Sequence, residues 1–332
     1  MEVPLAHPNS ACLPLVSAIA VCYNHERFVK DCLESIKAQD YPNLQIIVAD
    51  DCSRDASPVL IQNWIDDNTS LRVTFLHNEQ NRGLCKTLNR ALSAAQGKYI
   101  SMIATDDVWE PGKIEEQVQM MESQPEKIGV LYSDAYQMDE SGAPLAKRFI
   151  ETHREFSRMP EGDIREILWQ DNFIPAMTTL IRRSVFEQVG LYDENLFYED
   201  WEMWLRISER YDFAYFPRPT AKYRIVKTSI SKSSVNKMTL ANELMFIKHL
   251  LRGGVPRKLR SHAFNFAIRR AYREKTATPD ASKELLFKLA RIYKSPRLIY
   301  AWLLYICGLE YRHYEGTLRR AKRIVQFANK GR

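Results

Sequence analysis

The sequence predicts an α/β protein, a doubly wound mixed sheet with helices on both faces, followed by a basic helical region. Three observations carry that expectation. Between Leu15 and Ala104, four short β-prone apolar runs alternate with three amphipathic helical patterns, the signature of βα units. Each run stops at a polar cluster, so the clusters should gather at one sheet edge, where ligands of open α/β sheets bind. Finally, the charge is split: residues 1–220 hold 21 Lys and Arg against 35 Asp and Glu, whereas residues 221–332 hold 26 against 6.

The elements follow in order. Leu15–Cys22 reads as a buried parallel strand because it is apolar without alternation. It breaks at Tyr23-Asn24-His25, and Glu26–Ala38 has helical spacing with Asn24 as the expected N-cap. A second strand, Leu44–Ala49, ends at Asp50-Asp51-Cys52-Ser53-Arg54-Asp55, before a helix over Ser57–Asp66. A third strand, Leu71–Leu76, leads through the turn Asn81-Arg82-Gly83 to a helix over Leu84–Ala95, with Gly97 expected as its C′ residue. The fourth strand, Lys98–Ala104, delivers Thr105-Asp106-Asp107. Pro111–Ser123 should be a helix, Ile128–Ser133 a strand, Asp139–Arg158 a loop or short hairpin, and Ile164–Trp169 a helical turn. Phe173–Ile181 reads as a strand and Arg182–Gly190 as a helix closed by glycine. From Met238 the pattern is helical and rich in Lys and Arg, over 238–252, 257–274, 280–293, 296–307 and 311–328, punctuated by Pro256, Pro279 and Pro296.

This organisation suggests an N-terminal tail (1–14), a sheet domain (15–231) and a basic helical region (232–332), within the range that 332 residues allow. Met1–Pro14 lacks the basic start and apolar run of a signal peptide. The apolar run Leu298–Leu309 is too short to span a bilayer. The six cysteines show no CxxC or Cys/His spacing, so reduced thiols in a cytoplasmic protein are expected.

Acid pairs carry the chemistry. Asp106-Asp107 sits where a buried strand meets the ligand edge, and two neighbouring carboxylates there need water, cationic side chains or a metal ion. Mg2+ or Mn2+ would suit carboxylate oxygens and a diphosphate together. The alternative is helix capping by Asp107, with Glu110 and Pro111 opening the helix. Asp50-Asp51 has the same two readings, ligand or Asx cap. Glu199-Asp200 opens an aromatic helix, where the helix N-terminus favours ionisation and burial opposes it, a setting for a proton acceptor or for a simple cap. Neither GxGxxG nor GxxxxGK[ST] follows the first strand, which excludes the dinucleotide fingerprint and the P-loop.

The ordered set Val21-Cys22-Tyr23-Asn24, Asp50-Asp51-Cys52-Ser53-Arg54-Asp55, Asn81-Arg82-Gly83 and Thr105-Asp106-Asp107 resembles family 2 glycosyltransferases of the GT-A fold, over about Leu15–Ser231. The resemblance implies an inverting enzyme with a nucleotide-sugar donor, most simply a UDP-sugar, and a glycan or lipid-linked acceptor in cell-surface polysaccharide or glycolipid synthesis. It implies that Val21, Tyr23 and Asp51 line the nucleoside pocket, that Asp106 lies near the ribose, and that Asp107 is the metal-binding end of the DxD motif. Thr105 replaces that motif's first acid. Asp200 matches the base of the ED motif, with Glu199 and Trp201 toward the acceptor. Tyr223–Ser231 resembles the loop closing over the donor, but Val226 stands where relatives carry His; Arg224 and Lys227 are then the candidate phosphate partners, with Arg82.

The basic third suits an anionic membrane face, and a peripheral association is the corresponding expectation; nucleic acid is not an expected partner. Two rival readings are a nucleotidyltransferase, which should carry a glycine-rich basic loop after the first strand, and a non-catalytic basic binding protein using only the C-terminal third.

Overall fold

The structure, a computed structural model, describes residues 13–226 and 235–317. The chain divides into two compact units, Met1–Val235 and Asn236–Arg332. Lys227 and the end of the predicted helix 311–328 lie outside the described residues.

In the first unit, β1 (Val16–Cys22), β2 (Leu44–Asp50), β3 (Val73–His77) and β4 (Tyr99–Ala104) alternate with α1 (Val29–Lys37), α2 (Ser57–Asp67) and α3 (Leu84–Ala94). β1 is the centre: it pairs in parallel with β2 from Val16↔Leu44 to Cys22↔Asp50, and with β4 from Val16↔Tyr99 to Val21↔Ala104. All seven of its residues are buried, which is why its sequence is apolar on both faces. β8 (Leu180–Arg182) then runs antiparallel between β4 and β6 (Ile128–Tyr132), and β9 (Asp212–Tyr215) pairs in parallel with β6. The order β3-β2-β1-β4-β8-β6-β9 is a mixed sheet with one reversed strand, as expected.

A second sheet, short enough to escape notice in the sequence, orders the edge. β5 (Val108–Trp109) is antiparallel to β10 (Ala221–Arg224), which runs parallel to β7 (Ala135–Met138). It brings Arg224 back to the Asp106-Asp107 turn. The remaining helices are α4 (Lys113–Ser123), α5 (Phe149–His153), α6 (Arg165–Leu168), α7 (Arg183–Val189) and α8 (Asp200–Ser208).

Several local expectations are corrected. Asn24 is not an N-cap: it sits at φ +58°, its Oδ1 accepts the Arg54 N–H, and the helix begins only at Val29. Asp107 is no cap either, because α4 starts after Gly112 at φ +74°. Gly97 does not close α3, which ends at Ala94; a Cβ there would lie 2.5 Å from the Ser17 nitrogen. Only the end of Phe173–Ile181 is strand. Pro175 lacks an N–H, and Thr178 Oγ1 donates back to the Pro175 and Ser133 carbonyls, so Ala176–Thr178 tightens into a 3₁₀ turn. The polar segment 139–158 contains α5, anchored where Asp134 Oδ1 accepts the Ile150 N–H at 3.0 Å.

The second unit is helical: α9 (Val235–Arg252), α10 (Arg260–Arg273), α11 (Pro279–Tyr293), α12 (Pro296–Ile306), and a further helical stretch at 311–317. Its core includes Met245, Leu250, Ala267, Leu286, Leu289, Leu298 and Ala301. Among the described residues no helix is long and apolar enough to cross a membrane.

Candidate active site

Side chains lace the carboxyl ends of the central strands together. At the β2 end, Asp50 is fully buried and accepts from the Ser53 N–H and from His77 Nδ1, at 2.9 and 3.0 Å. Asp51 is the hub of the next loop. Its Oδ1 accepts from Asn78 Nδ2, the Arg82 N–H and Thr87 Oγ1, and its Oδ2 accepts from the Gly83 N–H, all at 2.8–2.9 Å. These bonds fix the Asn81-Arg82-Gly83 turn against the start of α3 and leave the Arg82 side chain exposed at the rim. Beside it, Tyr23 is an exposed ring at the end of β1, while Val21 is buried in the strand and its carbonyl accepts the Thr105 N–H.

The β4 end is built the same way. His25 Nδ1 lies 2.9 Å from Thr105 Oγ1, and its Nε2 lies 3.7 Å from Asp106 Oδ2. Asp107 is buried and accepts the Arg224 N–H at 2.8 Å through Oδ1. The Arg224 guanidinium, also buried, donates through Nε to the Asp106 carbonyl and lies 4.7 Å over the Phe28 ring. Burial, and then the neighbouring Asp106 charge, push the Asp107 carboxyl well above the usual range. Arg224 thus braces the acid turn from behind.

Glu199 and Asp200 open α8. Asp200 Oδ2 accepts from Asn172 Nδ2 at 2.9 Å, and Oδ1 accepts the Trp201 N–H at 2.6 Å. Burial, and then the Asp200 charge, raise Glu199 to about 8; burial also raises Asp200, against the Asn172 donor. The Trp201 indole donates to the Leu168 carbonyl and ties α8 to α6. The loop before α8 rests on α3 and β4: Cys85 lies 3.5 Å from the Leu196 carbonyl, Asn89 exchanges hydrogen bonds with the Tyr192 backbone, and the Tyr192 hydroxyl reaches Met102 Sδ at 3.4 Å. Tyr192 in this way ties the loop that leads to the acid pair to α3 and to β4, the latter at Met102, four residues before Asp106.

This architecture has known counterparts. The glycosyl transferase family 2 model matches residues 17–190. The chain belongs to that family. It is 28% identical over 235 residues to a Bacillus subtilis protein named as the teichuronic acid biosynthesis glycosyltransferase TuaG, covering 70% of this chain and 87% of the relative. Staphylococcus aureus TarS 1–349, solved with UDP-GlcNAc, has the same fold at a TM-score of 0.60 and 16% identity, covering 92% of each chain; of the longer TarS chain, 44% is covered. The mannosyltransferase PcManGT of Pyrobaculum calidifontis, solved with GDP-Man and Mn2+, superposes at 0.56 with 17% identity, over 90% of this chain and 86% of that one.

Within this family 2 chain, the residues singled out from the sequence occupy two kinds of position. Tyr23, Arg82 and Asp106 are accessible or part-accessible at the edge; Asp51, Asp107 and Arg224 are built into it. His25 and Asn172 were missed. His25 follows a strand end and had that signal; Asn172 lies in a loop with none. The residues present fit a divalent cation in donor type. Adjacent carboxylates offer hard oxygens, and their mutual repulsion, visible in the raised Asp107, is what a cation would relieve. Among the described residues no group of three or more His, Cys, Asp or Glu is assembled for a metal, so diphosphate oxygens and water would complete such a site.

Proposed function

We propose that this family 2 glycosyltransferase moves a sugar from a nucleoside-diphosphate donor, most simply a UDP-sugar, to a hydroxyl of a glycan or lipid-linked acceptor with inversion. The observation that carries the reading is the presence of two acid clusters with different environments. Asp106-Asp107 is braced by Arg224 at the β4 end, and Asp200 is held by Asn172 at the start of a helix. Two carboxyl sites with separate tasks are what a displacement at an anomeric carbon requires: one for the diphosphate, one for the incoming hydroxyl.

In this reading the base lies by Tyr23 and the Asp51-anchored turn, the ribose by Asp106, and the diphosphate by Asp107, with Arg82 at the rim and Lys227, from the loop expected to close over the donor, as a phosphate partner. Asp107, with Asp106, would hold Mg2+ or Mn2+, which when bound offsets charge on the departing diphosphate. Asp200 takes the acceptor hydroxyl proton as that oxygen attacks the anomeric carbon. The bond from that carbon to the diphosphate oxygen breaks, and the nucleoside diphosphate leaves with the electron pair. One base and no enzyme nucleophile give a single displacement. Glu199 and the Trp201 face would meet the acceptor. The name of the Bacillus relative supports a setting in cell-surface polysaccharide synthesis, and a place on the cytoplasmic side of the membrane belongs to the same proposal.

The test is a panel of nucleotide sugars assayed for transfer and for hydrolysis, with and without Mn2+. Asp107→Ala and Asp200→Asn should each lower transfer by about two to four orders of magnitude while the circular dichroism stays that of the parent. Full transfer by either variant rejects the role given to that residue.

A further inference from the structure

Asn172 belongs to no motif, yet it makes a direct contact with the reacting end of the molecule. We propose that Asn172 is a positioning residue that holds the Asp200 carboxylate ionised and aimed for proton transfer. The inference rests on the reading of Asp200 as the base and goes beyond it, because it assigns the orientation of that base to a second side chain.

Two N–H groups fix the carboxylate from different sides, Asn172 Nδ2 on Oδ2 at 2.9 Å and the Trp201 amide on Oδ1 at 2.6 Å. Each oxygen keeps a lone-pair direction for an incoming hydroxyl. The asparagine is locked in place by what surrounds it. Phe173, the next residue, is fully buried and packs edge-on against Tyr132 at 5.9 Å, while Trp201 ties α8 to Leu168 just upstream.

The other end of the amide is the telling detail. Asn172 Oδ1 is buried, and no described residue donates to it. A buried acceptor left unpaired is destabilising, so the fold gains little from an amide here. Turning the amide over would set that oxygen against Asp200 Oδ2, acceptor against acceptor. The ionised carboxylate thus selects the orientation with N–H toward it, and that N–H in turn favours the ionised form.

Glu199 and His153 face Asp200 from α8 and α5, Tyr192 and Tyr198 from the preceding loop, and Cys85 from α3. Burial raises the Asp200 carboxyl, and the Asn172 donor works against it. Without that donor, protons compete for the base at higher pH.

The experiment is a pH profile of transfer on the full chain for the parent, Asn172→Leu, Asn172→Asp and Asp200→Asn, with nucleotide binding followed separately by UDP-induced thermal shift. Asn172→Leu should lower kcat at neutral pH by roughly tenfold to a hundredfold and move the acid limb of kcat up by about one pH unit, with donor KM within about twofold of the parent. Asn172→Asp, which adds a second charge, should move the limb at least as far; it decides the matter if the leucine variant does not fold. A loss of activity equal at every pH, or an unmoved limb, overturns the positioning role while Asp200→Asn is dead. Substantial transfer by Asp200→Asn overturns the base itself, and the proposal with it.

Discussion

A carboxylate has about four lone-pair directions, two on each oxygen, and at Asp51 four protein donors already point at the two oxygens: Asn78, Arg82, Gly83 and Thr87. Three of those bonds fall on Oδ1 and one on Oδ2, so what remains for a ligand is a single direction on Oδ2. Asp51 acts chiefly by fixing the Asn81-Arg82-Gly83 turn. Glu199 has the opposite character, a carboxyl raised to about 8 by burial and by Asp200. Its ordinary value is near 4.5, so between those pH values the folded chain keeps a proton that the unfolded chain releases. The stability this contributes is full below about 4.5 and drains away as pH climbs through 8. Glu199→Gln should therefore melt close to the parent at pH 5 and several degrees above it at pH 9. Thermal melts across that range decide it, and parallel curves for the two proteins would refute the assignment.

At the scale of elements, the β1–β4 pair depends on one glycine. A methyl at Gly97 would meet the Ser17 nitrogen at 2.5 Å, the Tyr99 carbonyl at 2.6 Å and the Leu15 carbonyl at 2.9 Å, all backbone. Gly97→Ala must push the central strands apart and should cost about 1–3 kcal/mol, read as a lower denaturation midpoint; an unchanged midpoint would show that the strands yield freely. Nothing in the sequence distinguishes that demand from a helix-ending glycine, which is why the residue was legible and its reason was not. The four parallel strands could be read because burial on both faces leaves unbroken apolar runs with polar stops. β5, β7 and β10 could not, since two to four residues carry no period and their pairings join positions more than 80 apart in the chain. The same holds within the site. Asp106, Asp107 and Asp200 announce themselves as acids at strand and helix ends, whereas Asn172 becomes visible only through its contact with Asp200, and Arg224 changes meaning once its guanidinium is seen bonded to the Asp106 carbonyl.

For the whole molecule, the charge split sets the basic third apart, and the helical unit carries an exposed apolar stripe. On α12, Ile299, Leu303 and Ile306 recur at i, i+4 and i+7 and are 41–44% exposed, opposite the buried Leu298, Ala301 and Tyr305. Trp302 lies beside that stripe and meets Phe287 of α11 at 5.4 Å, extending the apolar face to a second helix. Lys283, Lys288, Arg291 and Lys294 are exposed on α11 and just beyond it, with Asp280 and Glu284 on the same helix and Glu284 paired to Lys288 at 2.6 Å. An apolar stripe rimmed by cations fits the headgroup boundary of an anionic bilayer, where buried area and charge act together, and we propose that surface as its occupant. Purified protein should float with phosphatidylcholine vesicles containing about a third phosphatidylglycerol and stay behind with phosphatidylcholine alone. Raising the salt from about 0.05 to 0.5 M should release much of it, because the basic contribution is screened. Leu303→Glu, placing a charge in the middle of the stripe and far from the acid clusters in sequence, should weaken flotation severalfold while soluble-acceptor transfer continues. Equal flotation of parent and variant would exclude this face as the contact. A dimer that dissociates on Leu303→Glu, with no flotation of the parent, would assign the stripe to a second copy of the chain instead.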